Sequence, residues 1–111
     1  MAYNDGLADR VRGLLGEHPL LREQKMFGGI AFMVAGNMSV GVVGDDLMVR
    51  VGPPAYEEAL ALPNAREMDF TGRPMRGFVF VDAAGIATRG GLEQWVDRGV
   101  TFAESLPAKP T

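Results

Sequence analysis

Apolar residues recur at helical spacing over the first fifteen residues of the chain. Asn4 or Asp5 can accept hydrogen bonds from the first free amides of such a helix, and Gly16 can end it in the left-handed conformation. Pro19 prevents the helix from resuming, so residues 16–23 are predicted to be a connection. The apolar positions that would share one helix face are Tyr3, Leu7, Val11, Leu14 and Leu15.

The middle of the chain changes to short β-branched and aromatic runs, which are typical of strands. GGIAFMV, NMSVGVV and DLMVRV are separated by the turn sequences AGN and GD, and they predict a three-stranded antiparallel meander. REMDF and MRGFVFV, joined by TGRP, predict a second hairpin. Between these units, PPAYEEALAL predicts a short helix, because proline is tolerated in a first helical turn. Thr88 can cap a final helix that reaches about Leu106.

These elements predict an α+β fold with two layers, in the order α-β-β-β-α-β-β-α. The sheet is expected to be antiparallel and five-stranded, with the helices on one of its faces. At 111 residues, the chain is expected to form a single domain, 1–111, with a core over about 3–107 and a tail at 108–111.

The sheet face away from the helices is predicted to be partly apolar. Along the third predicted strand, Met48 and Arg50 point away from the face that carries Leu47 and Val49, and Met33 does the same on the first strand. We therefore expect exposed methionines beside Arg50. Such a patch is typical of association or binding.

Charge and composition exclude several kinds of chemistry. A net charge of -3 gives no general attraction to a phosphate backbone, so direct DNA binding is not expected. The chain has no cysteine and one histidine, His18, so we predict no catalytic residue, no metal site and no cofactor. It shows neither a signal region nor an apolar run that could span a bilayer, which favours a cytoplasmic location away from membranes.

Two further features of the sequence have alternative readings. Gly28-Gly29 matches neither a dinucleotide fingerprint nor a phosphate loop, so we predict a bend or a close backbone approach at the start of a strand. Four cations near glycine or proline could hold an anionic group if they converge, or could form an ordinary surface network with neighbouring carboxylates. These cations are Lys25, Arg50, Arg73 and Arg76.

Four segments together carry a family resemblance: KMFGGIAFMVAGNMSVGVV, DLMVRVGP, MDFTGRPMRGFVFV and LEQWVDRGVTFAESLP. They resemble the N-terminal domain of the TfoX/Sxy family of bacterial competence regulators, from about Tyr3 to Pro107. The resemblance implies a two-layer α+β domain with a regulatory role of the transcriptional coactivator type. It also implies a protein partner, either the transcription machinery or the cyclic-AMP receptor protein. Because those regulators carry a further C-terminal helical domain, a chain ending at Thr111 is expected to be a stand-alone member.

The leading hypothesis is a non-enzymatic regulatory or protein-interaction module that forms a homo-oligomer through the second face of its sheet. The alternative is a protein that binds a small anionic ligand or nucleotide on an arginine-rich sheet face. The candidate ligand- or partner-binding residues are Lys25, Met33, Met48, Arg50, Arg73 and Arg76.

Overall fold

The computed structural model describes residues 3–26, 28–69 and 74–108. Its helices are α1 (Asp5–Leu15), α2 (Tyr56–Leu60) and α3 (Arg89–Ser105), with 3-10 turns at Pro53–Ala55 and Ala83–Ile86. Its strands are β1 (Leu21–Met26), β2 (Gly29–Val34), β3 (Asn37–Val43), β4 (Asp46–Arg50), β5 (Ala65–Asp69) and β6 (Pro74–Val81). They form one sheet in the order β1-β2-β3-β4-β6-β5, in which every neighbouring pair is antiparallel.

The predicted α+β fold is confirmed, but the sheet has six strands rather than five. The additional strand is β1, in the sequence LREQKM, whose first three residues were predicted to belong to a connection. Its four central residues are exposed, so it shows no apolar alternation that would mark it as a strand. β1 forms because β2 offers it a complete set of backbone partners.

Side chains cap two of the helices, as the sequence predicted. The Oδ1 atom of Asn4 accepts a hydrogen bond from the Leu7 amide at 3.0 Å, and the Oγ1 atom of Thr88 accepts one from the Gly91 amide at 3.0 Å. The prediction for the end of α1 is wrong, because Gly16 has φ -58° and stays in the right-handed helical region.

The main core lies between the helices and one face of the sheet. The three helices supply Leu7, Val11, Leu15, Tyr56, Ala59, Leu92, Trp95 and Val96, and the sheet supplies Ile30, Phe32, Val40, Val42, Leu47, Val49, Val79 and Val81. In the described ranges, no helix is long and apolar enough to cross a membrane.

The glycine pair before β2 permits a close approach of two strands. A Cβ atom on Gly29 would lie 2.1 Å from the carbonyl oxygen of Val42, so only glycine fits there. Gly28 turns the chain between β1 and β2 with φ +71°. The predicted bend and close approach are therefore confirmed.

A bulge at Gly77 reverses the side-chain alternation of β6. Val79 pairs with Glu67 and Pro74 pairs with Asp69, so β6 contains extra residues over this stretch relative to β5, and Gly77 within it has φ +96°. The Gly77 carbonyl accepts hydrogen bonds from the amides of Val51 (2.9 Å) and Gly52 (3.0 Å), which follow β4. As a result, Phe78 and Met75 lie on the same sheet face although they are three residues apart. Arg76, between them, lies on the helix side of the sheet, against Tyr56.

Candidate functional site

A second apolar cluster lies on the sheet face opposite the helices, and six of the seven methionines of the chain belong to it. We call this cluster the methionine face. Its buried members are Ala31, Met38, Met48, Met68 and Phe80, and its half-buried rim is Met26, Met33, Val43, Met75 and Phe78. The predicted apolar second face is therefore present.

The expectation that Met48 is exposed on this face is wrong. Its side chain is 1% exposed, and its methyl carbon lies 2.8 Å from the position that a Cβ atom on Gly41 would take. Ala31, Gly41 and Met48 are directly opposite one another on three adjacent strands. Because Ala31 and Gly41 leave room above the sheet, the flexible Met48 side chain lies flat over them and is shielded from water. Met48 therefore belongs to the interior of the face, and Met33 to its half-buried rim.

Arg50 lies at the boundary between the methionine face and α3. Its guanidinium carbon is 5.6 Å from the ring centre of Phe78 and 5.3 Å from that of Phe102. Each such contact contributes roughly 0.5–1 kcal/mol at a partly exposed site. The arrangement holds a positive charge at the margin of the methionine face, where it could pair with an acidic group of a bound partner.

The predicted cations that the structure describes do not come together. Lys25 is exposed on β1, at the sheet edge, three strands from Arg50 on β4. At about 4.8 Å per strand, this separation is roughly 14 Å, which exceeds the screening length at physiological salt. The guanidinium carbon of Arg76 is 5.5 Å from the Tyr56 ring centre, on the other side of the sheet from the methionine face. Arg73 lies outside the described residues.

Tyr56 carries a buried hydroxyl that has no hydrogen-bond partner among the described residues. Burial raises the pKa of Tyr56, Glu67 raises it further, and Arg76 lowers it. The ionised phenolate is thus disfavoured in the folded protein. The hydroxyl does not line any of the grooves described for the chain.

His18 has a structural role in the loop after α1. Its Nδ1 atom accepts a hydrogen bond from the Leu20 amide at 3.1 Å, so Nε2 carries the hydrogen that is donated to Glu104 at 2.9 Å. The ring therefore joins the loop to the end of α3. Within the described ranges, no group of three or more histidine, cysteine, aspartate or glutamate side chains could hold a metal ion.

The sequence did not predict a groove that runs beside α3. This groove has a volume of about 470 Å³. Its polar side chains come from one face of α3, and in the sequence this face has the pattern of an ordinary solvent-exposed helix face. Its apolar wall comes from the 3-10 turn before α2. Because the two walls are distant in the chain, no local sequence pattern predicts the groove. The lining residues are Val51, Pro54, Ala55, Gln94, Asp97, Arg98, Thr101, Phe102 and Ser105.

The family model of the TfoX N-terminal domain matches residues 13–103. The chain belongs to this family. The match spans all six strands and α2, so the methionine face of this TfoX N-terminal domain lies entirely inside the matched region. A search of the curated proteins and a search of the solved structures found no match.

Proposed function

We propose that this TfoX N-terminal domain is a non-enzymatic regulatory module that binds a protein of the transcription machinery through the methionine face. The observation that carries the proposal is the concentration of six methionines on the sheet face opposite the helices, with a half-buried rim. The TfoX N-terminal domain is a regulatory, non-catalytic domain family, which supports a binding role.

The chemistry of the rim suits a protein partner. Methionine is unbranched and polarisable, so Met26, Met33 and Met75 can change rotamer to fit an apolar surface without rebuilding the sheet beneath them. The rigid interior, which includes Met48, supports this adaptable layer. Arg50 at the margin favours a partner whose apolar patch is bordered by a carboxylate. The rim can thus adapt its shape to a partner, while Arg50 favours one orientation of that partner.

Family membership and charge support the choice of partner class in this proposal. The resemblance to competence regulators favours a coactivator that acts in the cytoplasm with the cyclic-AMP receptor protein or RNA polymerase. A net charge of -3 disfavours direct contact with DNA, so in this proposal the partner holds the DNA.

Binding to these two candidates can be tested with purified proteins from the organism that encodes the chain. The test variant is Met33→Gln/Met75→Gln, which adds polarity at the rim while keeping side-chain length. The matched control is Gln94→Ala in the groove beside α3, on the other side of the sheet. We expect the rim variant to weaken binding at least roughly tenfold, because two apolar contacts are lost, and the control to bind normally.

Site-specific photo-crosslinking supplies a second readout. A photoreactive phenylalanine analogue at position 33 should crosslink to the partner, and the same analogue at position 94 should not. Equal crosslinking from both positions, unchanged affinity of the rim variant, or no binding to either candidate would contradict the proposal. Thermal unfolding of each variant checks that it is folded.

A further inference from the structure

The outer side of β1 offers a regular edge for another strand. β1 is the last strand of the sheet, and its six residues pair with β2 without a break, from Leu21 opposite Val34 to Met26 opposite Gly29. The opposite edge strand, β5, changes register between Glu67 and Asp69, and irregularities of this kind hinder edge pairing. β1 is therefore the more regular of the two edges.

We propose that two copies of the chain pair antiparallel through β1, around a twofold axis that passes between Gln24 of one copy and Gln24 of the other. In an antiparallel pair with twofold symmetry, each side chain lies opposite one on the same sheet face. Side chains alternate between the two faces, so a residue can only lie opposite residues of its own face. The residue nearest the twofold axis must therefore lie opposite the same residue of the second copy. The four central candidates are Arg22, Glu23, Gln24 and Lys25.

Electrostatics selects one of these four registers. Centring the pair on Arg22, Glu23 or Lys25 would set a charged side chain directly opposite its own copy, which is destabilising. Centring it on Gln24 sets two neutral amides opposite each other, and these can hydrogen-bond. The same register sets Glu23 opposite Lys25 of the second copy and, by symmetry, Lys25 opposite Glu23 of the second copy. Among these four registers, only the one centred on Gln24 sets opposite charges against each other and no charge against its own copy.

Two neighbouring side chains are relevant to pairing at this edge. Glu23 is held by Arg12 through a 2.8 Å contact, so its carboxylate is already oriented on the helix side of the sheet. Leu20, immediately before β1, is 55% exposed, and in the described ranges it is the one large apolar side chain that is exposed, so it is available to contact a second copy at this edge. The contact is small compared with a standard interface, so we expect association in the range of roughly micromolar to millimolar.

Charge reversal with complementation tests the proposal. Glu23→Lys sets two lysines opposite each other, and Lys25→Glu sets two glutamates opposite each other, so each variant should dissociate at least roughly tenfold more readily. An equimolar mixture of the two variants should pair again, because both cross-strand contacts then join opposite charges. The double variant Glu23→Lys/Lys25→Glu should also pair like the wild type. Recovery in the mixture shows that neither variant has failed to fold.

Sedimentation velocity over a concentration series, with the isolated chain, measures these effects. The matched controls are Arg89→Glu, on the exposed surface of α3, and Glu57→Lys, on α2, which repeat the two changes in net charge away from the edge. A wild-type chain that stays monomeric up to roughly 1 mM would overturn the inference. A dimer that persists in both charge-reversal variants would also overturn it. So would a dimer that dissociates in the control variants or in Met33→Gln rather than in the charge-reversal variants. Because no other protein is present, failure here leaves the proposed binding to the transcription machinery untouched.

Discussion

The substitution Gly99→Ala tests how closely α3 lies on the sheet. Gly99 is buried in the middle of α3, and a Cβ atom there would lie 2.4 Å from the carbonyl oxygen of Ser39 and 2.7 Å from a methyl carbon of Val40. The first distance must grow to at least 3.0 Å before an alanine is accommodated. Because the opposing atom belongs to the backbone of a central strand, the helix has to move away from β3.

Two opposing effects decide the magnitude. Alanine is favoured over glycine in a helix interior by about 1 kcal/mol. Overpacking a buried contact is unfavourable by about 1–3 kcal/mol, and a contact with strand backbone belongs in the upper part of that range. We therefore expect a net loss of about 1–2 kcal/mol in the free energy of unfolding. This loss corresponds to a melting temperature lower by roughly 5–10 °C for a domain of this size.

Urea unfolding followed by tryptophan fluorescence measures the effect directly. Trp95 is the single tryptophan and is buried in α3, so its emission reports on the helix that is displaced. The matched control is Gly13→Ala in α1, where a Cβ atom would have nothing within 4 Å. In this control the free energy of unfolding should rise by up to about 1 kcal/mol. If Gly99→Ala is as stable as the wild type while Gly13→Ala shows its gain, the close packing of α3 on β3 is refuted.

Five further substitutions probe the Asn4 cap and the two apolar clusters. Tyr56→Phe removes a buried hydroxyl that has no hydrogen-bond partner among the described residues, so the free energy of unfolding should stay unchanged or rise by up to about 1 kcal/mol, as measured by thermal unfolding. Because the pKa of Tyr56 is raised on folding, the unfolded chain releases this proton first as the pH passes about 10; the variant should therefore lose less stability in alkali than the wild type. Asn4→Ala should lower the free energy of unfolding in urea by about 1 kcal/mol. Asn4→Asp keeps the capping oxygen, but it would face Asp45, whose Oδ1 accepts a hydrogen bond from the Asn4 side-chain amide at 3.0 Å. This second variant should therefore restore only part of the loss. Met48→Ala should lower the free energy of unfolding by about 2–5 kcal/mol in urea unfolding, and Met33→Ala should lower it distinctly less. Equal losses would contradict the division of the methionine face into a buried interior and a half-buried rim.

Local signals in the sequence were sufficient to predict most of the elements. The AGN turn is an example: Ala35 and Gly36 both have positive φ, +53° and +81°, as a tight two-residue hairpin requires. Asn4 and Thr88 were likewise predictable as caps, because a cap depends on residues within one helical turn. The alternation of Leu47 and Val49 with Met48 correctly separated the two sheet faces.

Features that depend on distant parts of the chain were not predictable in this way. β1 has the composition of a loop, and it becomes a strand through backbone pairing with β2. Met48 is buried because Ala31 and Gly41 on neighbouring strands leave space beside it, which no period along β4 reveals. The Gly77 bulge reverses the alternation of β6 and moves Arg76 to the helix side. A glycine within a strand pattern permits such a bulge but does not fix the side to which the next residue turns.

The β1 edge and the methionine face would act together if both proposals hold. A twofold axis perpendicular to the sheet keeps each face on its own side, so pairing through β1 would join two six-stranded sheets with all helices on one side. Both methionine faces would then point in the same direction. A partner with two equivalent sites could engage both faces at once, and its second contact would form at the high effective concentration of a linked pair. A partner with a single site would gain nothing from pairing. Weak association through a short edge would thus restrict strong binding to symmetric partners, without any change in the contacts made by each face.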